Sequence, residues 1–125
     1  MDLPRELRYS TDDCWVLVVG ESGRIGLCPG WGDGQRGKVE VALPSLGAGV
    51  RQGDVLAEIT IDGTRRFVLS PISGSVVLVN DRLIEDPRPI TADPFGAGWL
   101  CEMQLSYDET LEQVMDAESY ARLRG

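Results

Sequence analysis

Short apolar runs of period two, each ended within a few residues by glycine, proline or aspartate, govern what this chain can fold into. In "KVEVALP", Val39, Val41 and Leu43 share one face, with Lys38, Glu40 and Ala42 opposite. In "DVLAEITI", Val55, Ala57, Ile59 and Ile61 alternate with Leu56, Glu58 and Thr60. "CWVLVVGESGRIGL" reads as two strands around a polar glycine-containing turn, and "RFVLS", "GSVVLVN" and "GWLCEMQLS" continue the pattern. Alternation places successive side chains on opposite faces of a half-buried sheet. Many such strands with Gly/Pro turns predict a mainly β fold, a flattened β-sandwich or barrel.

The sharpest local signal is Asp62-Gly63, set between two of these runs in "TIDGTRRFVLSPISG". A two-residue hairpin of type I′ needs positive φ at both central positions, and Asp-Gly supplies it. Arg65 and Arg66 follow the turn and point to opposite faces of their strand. They are either solvated edge charges that discourage sheet aggregation or a carboxylate contact on a partner.

The period changes in the tail. Leu111, Val114 and Met115 fall at helical spacing, Asp108 is an N-cap candidate and Asp116 a second, so two short C-terminal helices are expected. "CPGWGDGQRGK", from Cys28 to Lys38 with Pro29, Gly30, Gly32 and Gly34, is a loop. Its Trp31 is either tucked over the core edge or exposed as an interface anchor.

The 125 residues suit one domain over 1–125, long enough to bury roughly two-thirds of the unfolded surface. A net charge of −8 argues against a nucleic-acid partner, since phosphate binding needs a basic surface. No run approaches the ~20 apolar residues of a membrane span. "MDLPRELRYS" is not a secretory signal, and a cytoplasmic protein is expected. The chain has no histidine, which removes the commonest general base and metal ligand, so neither a metal site nor catalysis is expected. Its three cysteines, Cys14, Cys28 and Cys101, form no CxxC pair and read as small buried residues. Lys38 is the only lysine. It begins a strand and is not on a hairpin tip, so no modification is expected there.

Seven segments together resemble a known family. "RYSTDDCWV", "GRIGL", "VEVALPSLGAGVRQGD", "SPISGSVVLVN", "DPFGAGWL" and "DAESYARL", with the hairpin between them, are similar in order and spacing to the glycine cleavage system H proteins of the biotinyl/lipoyl carrier family. The likeness runs from about Arg8 to Leu123. It implies the lipoyl-domain-like hybrid fold. It also implies a lipoyl-lysine seven residues before the Ser-Pro that opens the closing strand, and counting back from Ser70 lands on Gly63.

Other departures accompany Gly63. Asp13-Cys14 stand where the family has His-Glu, and Phe67 stands where it has an aspartate, so the resemblance puts Cys14 and Phe67 in the cleft that receives the cargo arm. The expectation is then a non-lipoylated H-protein-like module with no cofactor and no enzymatic activity. It would act as an interaction, scaffold or regulatory partner of a glycine-decarboxylase-like or other carrier-using enzyme. Asp62, Gly63, Arg65, Arg66 and Trp31 are its candidate contacts. The alternative is a carrier or auxiliary protein of a biosynthetic pathway that uses a cysteine, Cys14 or Cys28, or a repurposed cleft.

Overall fold

In the computed structural model of the chain, residues 3–29, 31, 37–106, 111 and 113–124 are described. The period-two runs become strands β1 (Arg8–Tyr9), β2 (Cys14–Val19), β3 (Ser22–Leu27), β4 (Val39–Ala42), β5 (Gly49–Val50), β6 (Val55–Ile61), β7 (Thr64–Leu69), β8 (Gly74–Val79) and β9 (Cys101–Leu105). They form a six-stranded sheet ordered β1-β2-β3-β9-β8-β5 and a three-stranded sheet ordered β4-β6-β7. All pairings are antiparallel. The expected mainly β sandwich is the observed architecture.

Both sheets feed one apolar layer. Cys14 and Leu27 from the larger sheet meet Ala57, Ile59, Ile61 and Val68 from the smaller, with Val39, Val41 and Leu43 packed against them. A second cluster joins Val16, Ile25, Val76, Cys101 and Met103 of the large sheet to Leu56 and Ile72. The reading of β6 needs one correction. A bulge lies between Val55 and Ala57, so Leu56 turns into this second cluster while Val55 is exposed.

The outer face of β2 is covered by the chain ends. Tyr9, Trp15, Cys28 and Tyr120 form a third cluster, in which Tyr9 and Tyr120 stack at 4.9 Å. Trp15 lies flat over Gly26, its cross-strand neighbour, where a Cβ would collide with the indole. The Tyr120 hydroxyl donates to Asp13 Oδ1 at 2.6 Å, and Arg124 reaches the same oxygen at 2.6 Å, which clasps the C-terminal helix to the β1–β2 turn.

That helix, α3 (Ala117–Arg124), starts where Asp116 was expected to cap it: Asp116 Oδ1 accepts the Ser119 N–H at 2.8 Å. The helix expected before it is not found among the described residues. Leu111 has φ +61°, and Met115 pairs with Tyr9 as a β-bridge. Asp108 lies outside the described residues. Two four-residue helices, α1 (Arg82–Glu85) and α2 (Pro89–Ala92), bury Leu83 and Ile90 against the first cluster instead. No helix among the described residues is long and apolar enough to cross a membrane.

Candidate functional site: the free end of the three-stranded sheet

The β6–β7 hairpin closes as Asp-Gly chemistry requires. Ile61 pairs with Thr64, leaving Asp62 (φ +48°) and Gly63 (φ +82°) as the two turn residues. Among the described residues, no atom beyond its chain neighbours lies within 4 Å of where a Gly63 Cβ would sit.

Pairing register decides which side chains share the outer face behind this tip. Glu40 lies opposite Thr60 and Ala42 opposite Glu58. Thr60 in turn lies opposite Arg65, and Glu58 opposite Phe67. Directly paired residues point to the same side, so Glu40, Glu58, Thr60, Arg65 and Phe67 form one outward surface. Arg65 pairs with Glu58, and its guanidinium sits 5.8 Å from the Phe67 ring centre. Phe67 is 52% exposed. Arg66 lies opposite the buried Ile59 and therefore faces the other way, as strand alternation demands.

Asp62 has a second task. Its N–H donates to the Lys38 carbonyl at 2.9 Å, and its Oδ1 accepts the Lys38 N–H at 2.8 Å. Gly37 allows this: its φ is +148°, and a Cβ there would collide with the Asp62 carboxylate. The chain entering β4 is thereby fastened to the hairpin tip. Lys38 is not one of the two tip residues and lies directly across from Asp62.

Behind the tip, on the inner side, Trp31, Val39, Ile59, Ile61, Ile90 and Ala92 help line a cavity of about 590 Å³. Trp31 is half-buried against the first core cluster, and its backbone N–H donates to the Cys28 carbonyl at 2.9 Å. That is the tucked arrangement rather than an exposed anchor. Gly30, Gly32 and Gly34 lie outside the described residues.

The expectation that Cys14 and Phe67 line one cleft is corrected. Cys14 is fully buried between the sheets, its thiol donating to the Leu69 carbonyl at 3.6 Å, whereas Phe67 points outward from β7. Burial, reinforced by neighbouring Cys28, Asp12 and Asp13, pushes the Cys14 thiol far above its ordinary range. Burial also raises Cys28 and Cys101 to about 12, with Glu102 adding to the effect at Cys101. None of the three is a poised thiolate. Asp13 is held by Tyr120 and Arg124 and Glu58 by Arg65, on different sheets, so these carboxylates do not combine into an acid–base site.

Comparison with known proteins places this geometry. Residues 7–124 match the family model described as glycine cleavage H-protein. The glycine cleavage system H protein of Carboxydothermus hydrogenoformans is 30% identical over 121 residues, covering 97% of this chain and 93% of that protein. That of Micrococcus luteus is 34% identical over 121 residues, covering 95% and 94%. The crystal structure of the Mycobacterium marinum H protein superposes with a TM-score of 0.86 at 28% identity, over 98% of this chain and 99% of that one. These matches overturn the expectation that no cofactor belongs with this chain: they are to H proteins, which normally carry lipoate.

Proposed function

The chain belongs to the glycine cleavage H-protein family, and from that premise we propose that it docks on a carrier-using enzyme through the free end of its three-stranded sheet. Members of the family are carrier proteins and not catalysts, so the chain is not an enzyme. The partner is a glycine-decarboxylase-like enzyme or another enzyme that receives an H protein.

One observation supports this reading above the others. No described residue crowds the Gly63 position, and Arg65 over Phe67 offers a cation beside an exposed ring. Arg and aromatic side chains supply most of the binding energy at protein interfaces. Gly63 has no side chain to keep a partner surface away from the turn backbone. The rest of the molecule, at net charge −8, favours approach to a basic partner and repels acidic ones. The cysteine-carrier alternative has no comparable support, because all three thiols are buried.

Calorimetric titration against a glycine-decarboxylase-like enzyme tests the proposal. Arg65→Glu combined with Phe67→Ala is expected to weaken binding at least tenfold while leaving the thermal midpoint within a few degrees. Unchanged affinity in this double variant would place the docking surface elsewhere.

A further inference from the structure

β7 (Thr64–Leu69) is the last strand of the three-stranded sheet, and among the described residues no strand pairs with its far side. The hairpin register decides which backbone groups lie open there. The Asp62 N–H donates to the Lys38 carbonyl, on the β4 side of β6. Backbone groups alternate between the two sides of a strand, so Ile61 and Ile59 bond toward β7. Their partners Thr64 and Arg66 are the β7 residues whose groups point back to β6. The N–H and C=O of Arg65 and Phe67 therefore point off the free edge, as two donor–acceptor pairs about 7 Å apart.

Such a row of strand groups is complementary to another extended chain. The side chains over it narrow the choice. The Arg65 side chain is 68% exposed, and Glu58 engages only part of its five-donor guanidinium. Phe67 lies half exposed beside it. A strand laid on this edge sets one side chain next to Arg65 and, two residues on, another next to Phe67, both on the outward face. A second copy of this chain fits poorly. The antiparallel register that uses all four groups puts the two Arg66 side chains directly opposite each other, and like charges so placed repel.

We propose that this edge takes up an extended segment of the partner enzyme as a fourth strand, with an acidic side chain beside Arg65 and an apolar one, two residues away, beside Phe67. The inference rests on the docking reading above and gives it a chemistry: backbone bonds hold the segment, and the two side chains select it. The net charge of −8 favours a basic enzyme at long range. The acid is needed only where the segment meets Arg65. Strand addition leaves the hairpin intact, because the bonds from β7 to β6 face the other way.

The test is quenched amide exchange on the full chain, free and bound to a glycine-decarboxylase-like enzyme, read residue by residue by NMR. The Arg65 and Phe67 amides should exchange quickly in the free chain and at least tenfold more slowly in the complex. Arg65→Pro removes the same side chain as Arg65→Ala and, in addition, one donor that no strand of this sheet uses, a substitution edge strands tolerate. It should bind at least tenfold more weakly than Arg65→Ala. Suppose that both amides exchange alike in the free and bound chain while Arg65→Glu/Phe67→Ala still weakens binding. The side chains then dock without strand addition, and only this inference is overturned. Unchanged affinity in that double variant, or no complex at all, overturns the docking reading with it. The exchange measurement on the wild-type chain decides the matter even where Arg65→Pro fails to fold.

Discussion

Replacing Asp62 by alanine should expose how much the sheet end depends on one turn residue. Two effects add. The substitution removes the acceptor for the Lys38 N–H at 2.8 Å, an exposed bond worth about 0.5–1.5 kcal/mol. It also places alanine at φ +48°, where a residue without Asp's local hydrogen bonding costs about 1 kcal/mol. Asp62→Ala is therefore expected to lose about 1.5–2.5 kcal/mol in urea denaturation. Asp62→Asn keeps both the acceptor and the left-handed preference and should lose about 0.5 kcal/mol or less. Asp62→Gly relieves φ but not the missing acceptor and should fall between them. Amide exchange gives the local readout: the Lys38 N–H should exchange faster in Asp62→Ala and Asp62→Gly, and as in wild type in Asp62→Asn. Alanine within 0.5 kcal/mol of wild type, or asparagine as damaging as alanine, would refute this account of the tip.

Tyr120→Phe keeps the stack on Tyr9 but deletes the 2.6 Å donor to Asp13; a loss of about 1.5–3 kcal/mol in chemical denaturation is expected. Cys14, Cys28 and Cys101 should resist a thiol reagent in the native protein at pH 8 and react fully in denaturant. Because burial raises Cys28 and Cys101 from 9.0 to about 12, the unfolded chain releases these protons first. Their contribution to stability should be complete below about pH 9 and decline as pH rises toward 12, which denaturation midpoints across that window would show. Gly74→Ala drives a Cβ into the Gln104 carbonyl of the neighbouring strand and should cost 3 kcal/mol or more. Gly63→Ala meets no atom among the described residues and should cost only the ~1 kcal/mol of its positive φ, a contrast that soluble yield and urea midpoints would report.

Local chemistry made much of this fold legible. Alternation and turn residues located the strands, and Asp62-Gly63 announced its own turn because type I′ geometry depends on those two residues alone. Asp116 was readable as a cap for the same reason. What depended on distant partners was not. Leu111, Val114 and Met115 have helical spacing, yet Met115 is captured by Tyr9, more than a hundred residues earlier in the chain. The bulge at Leu56 breaks a pattern that reads as continuous. Cys14 and Phe67 could be assigned to one cleft only while the sheet register was unknown; pairing turns one inward and the other outward. That Lys38 lies against Asp62 was not readable, because the contact spans 24 residues. A signal for it did exist: Gly37 precedes the lone lysine, and a glycine entering a strand marks a close backbone approach.

Side-chain oxidation by hydroxyl radicals, with and without a glycine-decarboxylase-like enzyme, tests the docking claim most directly. Phe67 on the outer face of β7 and Val77 and Leu78 on β8 of the other sheet are all about half exposed, so all three report in the free chain. Complex formation should lower oxidation of Phe67 several-fold and leave Val77 and Leu78 unchanged. Protection of Val77 and Leu78 with Phe67 still reactive would contradict the claim that the hairpin end is the surface this protein presents.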